Sequence, residues 1–175
     1  MTPEQAQPVI VTIYRPPQGL DNLVMVSNGD ALTGLWFEGS RNAPAIRPHV
    51  GAREPPVLRK TRRWLDIYFS GRQPDFMPPY RIDGLTPFRR DVVDAMLAIP
   101  FGATATYGEI AAAIARRRGL ERMSAQAVGQ AVGWNPICLV VPCHRVVGVA
   151  GALVGYGGGL RNKIALLAHE KRSIP

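Results

Sequence analysis

Three strand-like runs crowd into the first 38 residues, and they restrict the fold more than anything else in the chain. Val9–Tyr14 (VIVTIY), Asn22–Ser27 (NLVMVS) and Ala31–Glu38 (ALTGLWFE) are rich in β-branched and aromatic residues. Pro16-Pro17-Gln18-Gly19 ends the first, and Asn28-Gly29-Asp30 is a hairpin signal between the second and third. Strands joined by turns this short predict a small antiparallel meander.

Helical spacing then takes over. After a loop-like, proline-punctuated stretch from Gly39 to Pro56, apolar residues at Leu58, Trp64, Leu65, Ile67, Tyr68 and Phe69 predict a helix over 56–70, stopped by Gly71. Residues 73–84 are proline-rich and read as the connection between two halves. Thr86-Pro87 supplies an N-cap and a first-turn proline for the next helix, which carries Phe88, Val92, Val93, Met96 and Leu97. Thr106 and Glu109 are spaced as a capping box. That helix runs to the basic tip Arg116-Arg117-Arg118. Ser124 caps another, residues 125–133, rich in Ala, Val and Gly and stopped by Asn135-Pro136. The pair from Thr106 to Gly133 is a helix-turn-helix candidate, although many helical hairpins bind nothing. A short β-branched run, Ile137–Val141, a glycine loop at 155–159 and a last helix, residues 160–171, complete the chain. The expectation is an α+β protein with a β/α domain over residues 1–85 and a mainly helical domain over residues 86–175.

The sequence of 175 residues, 46% hydrophobic and 19% charged, can bury a core. No apolar run approaches the roughly 20 residues that span a bilayer. The N-terminus lacks the basic-then-apolar pattern of a signal peptide. The expectation is a soluble cytoplasmic protein with no membrane partner. Net charge is +8, and it is uneven: residues 1–85 hold 10 Lys+Arg against 8 Asp+Glu, residues 86–175 hold 11 against 5. Of the 21 basic residues 18 are Arg, the type suited to bidentate phosphate contacts. A basic helical half fits nucleic acid, and it equally fits a solvated surface.

Only two cysteines occur, Cys138 and Cys143. If the segment between them is extended, they lie too far apart for a disulfide. With His49, His144 and His169 they show no zinc spacing, so no metal is expected. Cys138, inside an apolar run, reads as a small buried hydrophobe. Cys143 is different. It sits in Val140-Val-Pro-Cys-His-Arg-Val-Val147, where an imidazole and a guanidinium flank the sulfur and favour its thiolate, the nucleophilic form. A histidine that takes the thiol proton needs an orienting acid. Glu170 is the only acid after Glu121.

Pro142-Cys143-His144-Arg145-Val146 resembles the active-site signature of the O6-alkylguanine-DNA alkyltransferases, also called methylated-DNA–protein-cysteine methyltransferases. The likeness extends in register from Thr86-Pro87-Phe88, through Ile99-Pro-Phe-Gly102, Thr106-Tyr-Gly-Glu-Ile-Ala111, Ala127-Val-Gly129 and Asn135-Pro136, to Gly155-Tyr-Gly-Gly-Gly159 and Leu166-Leu-Ala-His-Glu170. The N-terminal half is similar only to the family's variable small domain, of ribonuclease H-like type. The resemblance implies direct-reversal DNA repair, in which Cys143 takes the alkyl group from O6 of guanine once and keeps it. His144 would be the base, through a water, oriented by Glu170. Asn135 would fix the turn before the cysteine loop, and Tyr107 would assist the leaving guanine. The carbonyls of Cys143 and Val146 would face the guanine amine, with Tyr156 and Gly157 over the base and Gly157 donating to O6. Ala125, Gln126, Ala127, Gly129 and Arg145 would meet DNA. The implied partner is double-stranded DNA carrying O6-alkylguanine, approached from the minor groove with the damaged base flipped out, and read by a monomer without a cofactor.

The family commonly has arginine where this chain has Gln126. Glutamine could fill the emptied stack, or an arginine among Arg116–Arg118 or Arg122 could take over phosphate anchoring. Trp134 could stack near DNA or simply pack. The competing reading, an alkyltransferase-like protein that flags damage without repairing it, goes with loss of the cysteine. A cysteine hydrolase or a transcription factor would leave the helix-turn-helix or the Pro-Cys-His-Arg segment, respectively, without a role.

Overall fold

The N-terminal runs pair as their short turns require. In the computed structural model, which describes residues 9–44 and 53–173, β1 (Ile10–Tyr14), β2 (Leu23–Ser27) and β3 (Leu32–Phe37) form an antiparallel sheet in that order. Residues 45–52 of the predicted loop, with His49, lie outside the described residues. Register sets Val11 opposite Val26 and Met25 opposite Leu35, with an irregularity at Val26/Ser27. Leu23, Met25, Leu32, Leu35 and Phe37 are fully buried. Helix α1 (Pro56–Phe69) packs on β2 and β3 through a face that buries Leu58, Leu65 and Tyr68. Ser70 caps it, and Gly71 turns the chain away with φ of 86°.

The caps of the second half are those the sequence calls for. Thr86 accepts from Arg89 N at the start of α2 (Pro87–Leu97). Thr106 and Glu109 close a reciprocal capping box on α3 (Tyr107–Arg118), and Ser124 accepts from Ala127 N on α4 (Ala125–Trp134). The α3–turn–α4 pair is packed on α2, so the helix-turn-helix geometry is present. Two arginines of the basic tip are spent locally. Arg117 and Arg118 both pair with Asp91 of α2, and Arg118 also lies over the Phe88 ring. Among the described residues Arg116 forms no ion pair. Short strands β4 (Ala105–Thr106) and β5 (Val146–Val147) pair in parallel, and α5 (Leu160–Arg172) closes the chain.

Residues 137–141 do not form the extended segment their composition suggests. Only Ile137 bridges to Leu35, through Leu35 N to Pro136 O (2.9 Å) and Cys138 N to Leu35 O (3.0 Å). The backbone then coils, with Val141 N donating to Ile137 O and Leu139 at φ of 64°. The run is apolar because it is buried all round, and periodicity cannot separate that case from a strand. The extended spacing assumed for the two cysteines therefore fails, but both are free thiols. One hydrophobic core takes in Leu35, Phe37 and Tyr68 from the first half and Val92, Ile114, Ile137 and Leu166 from the second.

Candidate active site

Cys143 begins a tight turn, Cys143–Arg145, that the coil below it sets in place. Its N–H donates to Val141 O (2.8 Å), Arg145 N donates to Pro142 O (3.0 Å), and Val146 N donates to the Cys143 carbonyl. Asn135 holds the coil from the side. Its Nδ2 donates to Val141 O (2.8 Å) and Ile137 O (3.4 Å), while its Oδ1 accepts from Ile137 N (3.1 Å). A buried amide making three backbone contacts fixes a turn far better than apolar packing does.

The thiol is 6% exposed and lines a cavity of about 560 Å³. Tyr107, Asn135, Tyr156, Gly157 and Gly129 share that lining with it. Sγ lies 3.7 Å from the Tyr156 hydroxyl. The glycine loop approaches closely here, since a Cβ at Gly158 would meet the Tyr156 ring at 2.8 Å and Phe37 at 2.9 Å. Tyr107 packs over Gly129, where a Cβ would touch its ring at an ordinary contact distance of 3.6 Å. The Val146 carbonyl accepts from Lys163 Nζ at 2.6 Å, so one of its two lone pairs is already used.

Behind the thiol lies a fully buried charge network. His144 Nε2 is 2.6 Å from Glu170 Oε1, whereas His144 Nδ1 has no partner among the described residues. Glu170 also accepts from Gly102 N (2.9 Å) and from Arg145 Nε and Nη2. Burial works against the Glu170 charge, but hydrogen bonds and charge from His144 and Arg145 outweigh it and hold the carboxyl at about 2. Burial pushes His144 below its ordinary value, which leaves it neutral at pH 7. With Nε2–H given to the carboxylate, Nδ1 is the free acceptor. Burial raises the Cys143 thiol, and hydrogen bonds from Asn135 and Tyr156 with the Lys163 charge pull it partly back. At neutral pH the resting group is a thiol beside a neutral base.

Arg145 is turned inward. It is 8% exposed, its fork is on Glu170, and Nη1 donates to Ile99 O at 2.8 Å. The resemblance implies a contact of Arg145 with DNA; in the fold its guanidinium binds the Glu170 carboxylate beside His144, as a buried guanidinium needs a full set of acceptors. Ala125 and Gln126 are exposed on the first turn of α4, with Ala127 half-buried beside them.

Residues 87–172 match the family described as 6-O-methylguanine DNA methyltransferase, DNA binding domain. A relative from Mycobacterium leprae, named methylated-DNA–protein-cysteine methyltransferase, is 38% identical over 155 residues, 87% of each chain. The chain belongs to the methylated-DNA–protein-cysteine methyltransferase family. The solved structure of the Mycobacterium tuberculosis O6-methylguanine methyltransferase is similar across the fold, with a TM-score of 0.78, 36% identity and 96% of both chains covered. A structure of the Mycobacterium tuberculosis protein in complex with DNA gives a TM-score of 0.75 at 35% identity, over 95% of this chain and 94% of that one.

For a methyltransferase of this family, the N-terminal half contributes more than the sequence foretold. The Tyr68 hydroxyl donates to Glu170 Oε1 at 2.8 Å and lies 3.4 Å from His144 Nε2. Trp36, Ser40, Arg41 and Asn42 line the same cavity as Cys143. Tyr68 could have been flagged, since a buried tyrosine needs a partner for its hydroxyl. Nothing local in the sequence marks the other four.

Proposed function

We propose that this chain repairs O6-alkylguanine in double-stranded DNA by moving the alkyl group onto Cys143, once per molecule. Sγ attacks the carbon attached to O6. The S–C bond forms as the C–O bond breaks, and the electron pair stays with guanine. The thiol proton passes through a bridging water to His144 Nδ1, and the guanine anion takes a proton from the Tyr107 side. The products are an S-alkylcysteine and guanine. A thioether has no easy reverse step, so the protein is consumed. The observation that carries this reading is a buried thiol at the wall of a cavity with room for a base, backed by a neutral histidine whose outer nitrogen is held on a carboxylate.

The rest of the assignment follows the same chemistry. A thiol this deep reaches O6 only if the base leaves the stack, which costs a few kcal/mol and least for a badly paired base. The exposed first turn of α4, with Ala125, Gln126 and Ala127, is small enough to enter the minor groove, where sequence is read least. Gln126 then fills the place the base vacates. Tyr156 and Gly157 cover the base, and the carbonyls of Cys143 and Val146 meet its amine. The protein acts as a monomer in the cytoplasm, and its two halves, residues 1–85 and 86–175, are the units of the fold.

The test is an intact-mass measurement after incubation with duplex DNA carrying O6-methylguanine. A gain of one methyl, mapped to Cys143 and absent in Cys143→Ser, supports the reading. Bound damaged DNA with no change in mass would instead establish a damage-flagging protein.

A further inference from the structure

The cavity has a second wall that the repair chemistry does not use. Trp36, Ser40, Arg41 and Asn42 come to it from β3 and the loop after it, and Arg89 and Trp134 border them. This wall is rich in donors. The Trp36 indole Nε1 and the Ser40 Oγ are buried with no hydrogen-bond partner among the described residues. A buried indole N–H or hydroxyl without a protein partner is costly unless a water or a ligand supplies the acceptor. Among the described residues neither Arg41 nor Arg89 has a carboxylate partner, and the Arg89 guanidinium lies 3.8 Å from the centre of the Trp134 ring, leaving its N–H edges free.

The wall is built, not draped. A Cβ at Gly34 would overlap the Trp36 ring, so the glycine lets the indole lie back across β3. Asn42 Nδ2 donates to Gly133 O (2.6 Å), and Arg41 N donates to Gly157 O (3.1 Å). These two bonds strap the segment onto the end of α4 and onto the glycine loop, the elements that frame the catalytic cavity.

We propose that Trp36, Ser40 and Arg41 form a subsite for a backbone phosphate of the nucleotide brought to Cys143. An N–H that can only donate, a hydroxyl and a guanidinium on one wall select an anion with several acceptor oxygens. The base itself is placed against the opposite wall. The N-terminal half thereby fixes the extruded nucleotide by its backbone, and not by its sequence. This rests on the repair reading above.

The experiment uses the full chain and two substrates bearing one lesion. O6-benzylguanine is offered as the free base, which has no phosphate, and within duplex DNA. Second-order rates of alkylation at Cys143 are measured for wild type, Trp36→Phe, Ser40→Ala and Arg41→Gln, with melting temperatures to confirm folding. Trp36→Phe keeps the ring and removes only the N–H. The ratio of the duplex rate to the free-base rate falls about tenfold in Arg41→Gln and severalfold in the other two, the loss of one charge-assisted hydrogen bond each. The salt dependence of the duplex rate also drops by about one phosphate contact in Arg41→Gln. A ratio equal to wild type in all three variants overturns the proposal, whether both rates hold or both fall together. A wild type that reacts with neither substrate overturns the repair reading itself, and this subsite with it.

Discussion

Tyr68 and His144 meet at one carboxylate oxygen. The phenol donates to Glu170 Oε1 at 2.8 Å and His144 Nε2 lies 2.6 Å from the same atom, although the two residues are 76 positions apart. The carboxylate beside His144 is therefore held from both halves of the chain. With Arg145 and Gly102 N completing its shell, Glu170 is a fully satisfied buried anion.

Tyr68→Phe removes one of these donors without opening a cavity. The expected cost is about 1–2 kcal/mol, or a few degrees in melting temperature. Methyl transfer falls by less than tenfold, because Arg145 still holds the carboxylate. His144→Ala, which removes the base, loses far more. A Tyr68→Phe protein as inactive as His144→Ala would show that the phenol takes part in proton transfer.

Arg145→Met tests the inward placement of that arginine. It leaves the Glu170 carboxylate buried without its permanent cation, and the expected destabilisation is about 3–5 kcal/mol by denaturant titration. Affinity of the folded protein for undamaged duplex is unchanged in a gel-shift measurement. A protein of normal stability with weakened DNA binding would place Arg145 at the interface after all.

These two residues show what local sequence can and cannot reveal. Caps at Thr86, Thr106 and Ser124 were readable because their partners sit three positions away, and Asn28-Gly29 set the hairpin for the same reason. The orientation of Arg145 was not, since its acceptors, Ile99 O and Glu170, lie 46 and 25 positions off. The Ile137–Val141 run failed differently. Its β-branched composition fits a buried strand and a buried coil alike, so nothing local separates the two. Trp36 and Ser40 carry no signal of their own, because the cavity they line exists only once β3 meets the glycine loop.

Acid should unfold the protein through the same network. Glu170 sits at about 2 in the folded state against an ordinary 4.5, so its stabilisation is complete above 4.5 and is lost as pH falls towards 2. That loss is about 3 kcal/mol. His144, lowered from 6.5 by burial, adds to it in the same direction, because the unfolded chain binds its proton first. Melting temperature therefore starts to decline below about pH 6.5 and falls steeply below 4.5. Glu170→Gln begins less stable at pH 7 and shows a shallower acid limb. An equally steep limb in that variant would assign the acid sensitivity to other carboxylates.

Lys163 is the cation most closely tied to the nucleophile. Its side chain is fully buried, it donates to Val146 O at 2.6 Å, and its charge favours the Cys143 thiolate against the burial that raises the thiol. Burial in turn pushes the Lys163 ammonium below its ordinary value. Lys163→Met keeps the length of the chain and deletes the charge. The Cys143 thiol then becomes harder to ionise, so its reaction with iodoacetamide, mapped to that residue by peptide mass to exclude Cys138, moves to higher pH. Methyl transfer at pH 7 slows severalfold and recovers as the pH is raised. A pH profile that stays where it is, with transfer reduced at every pH, would show that Lys163 acts only by holding the Val146 carbonyl.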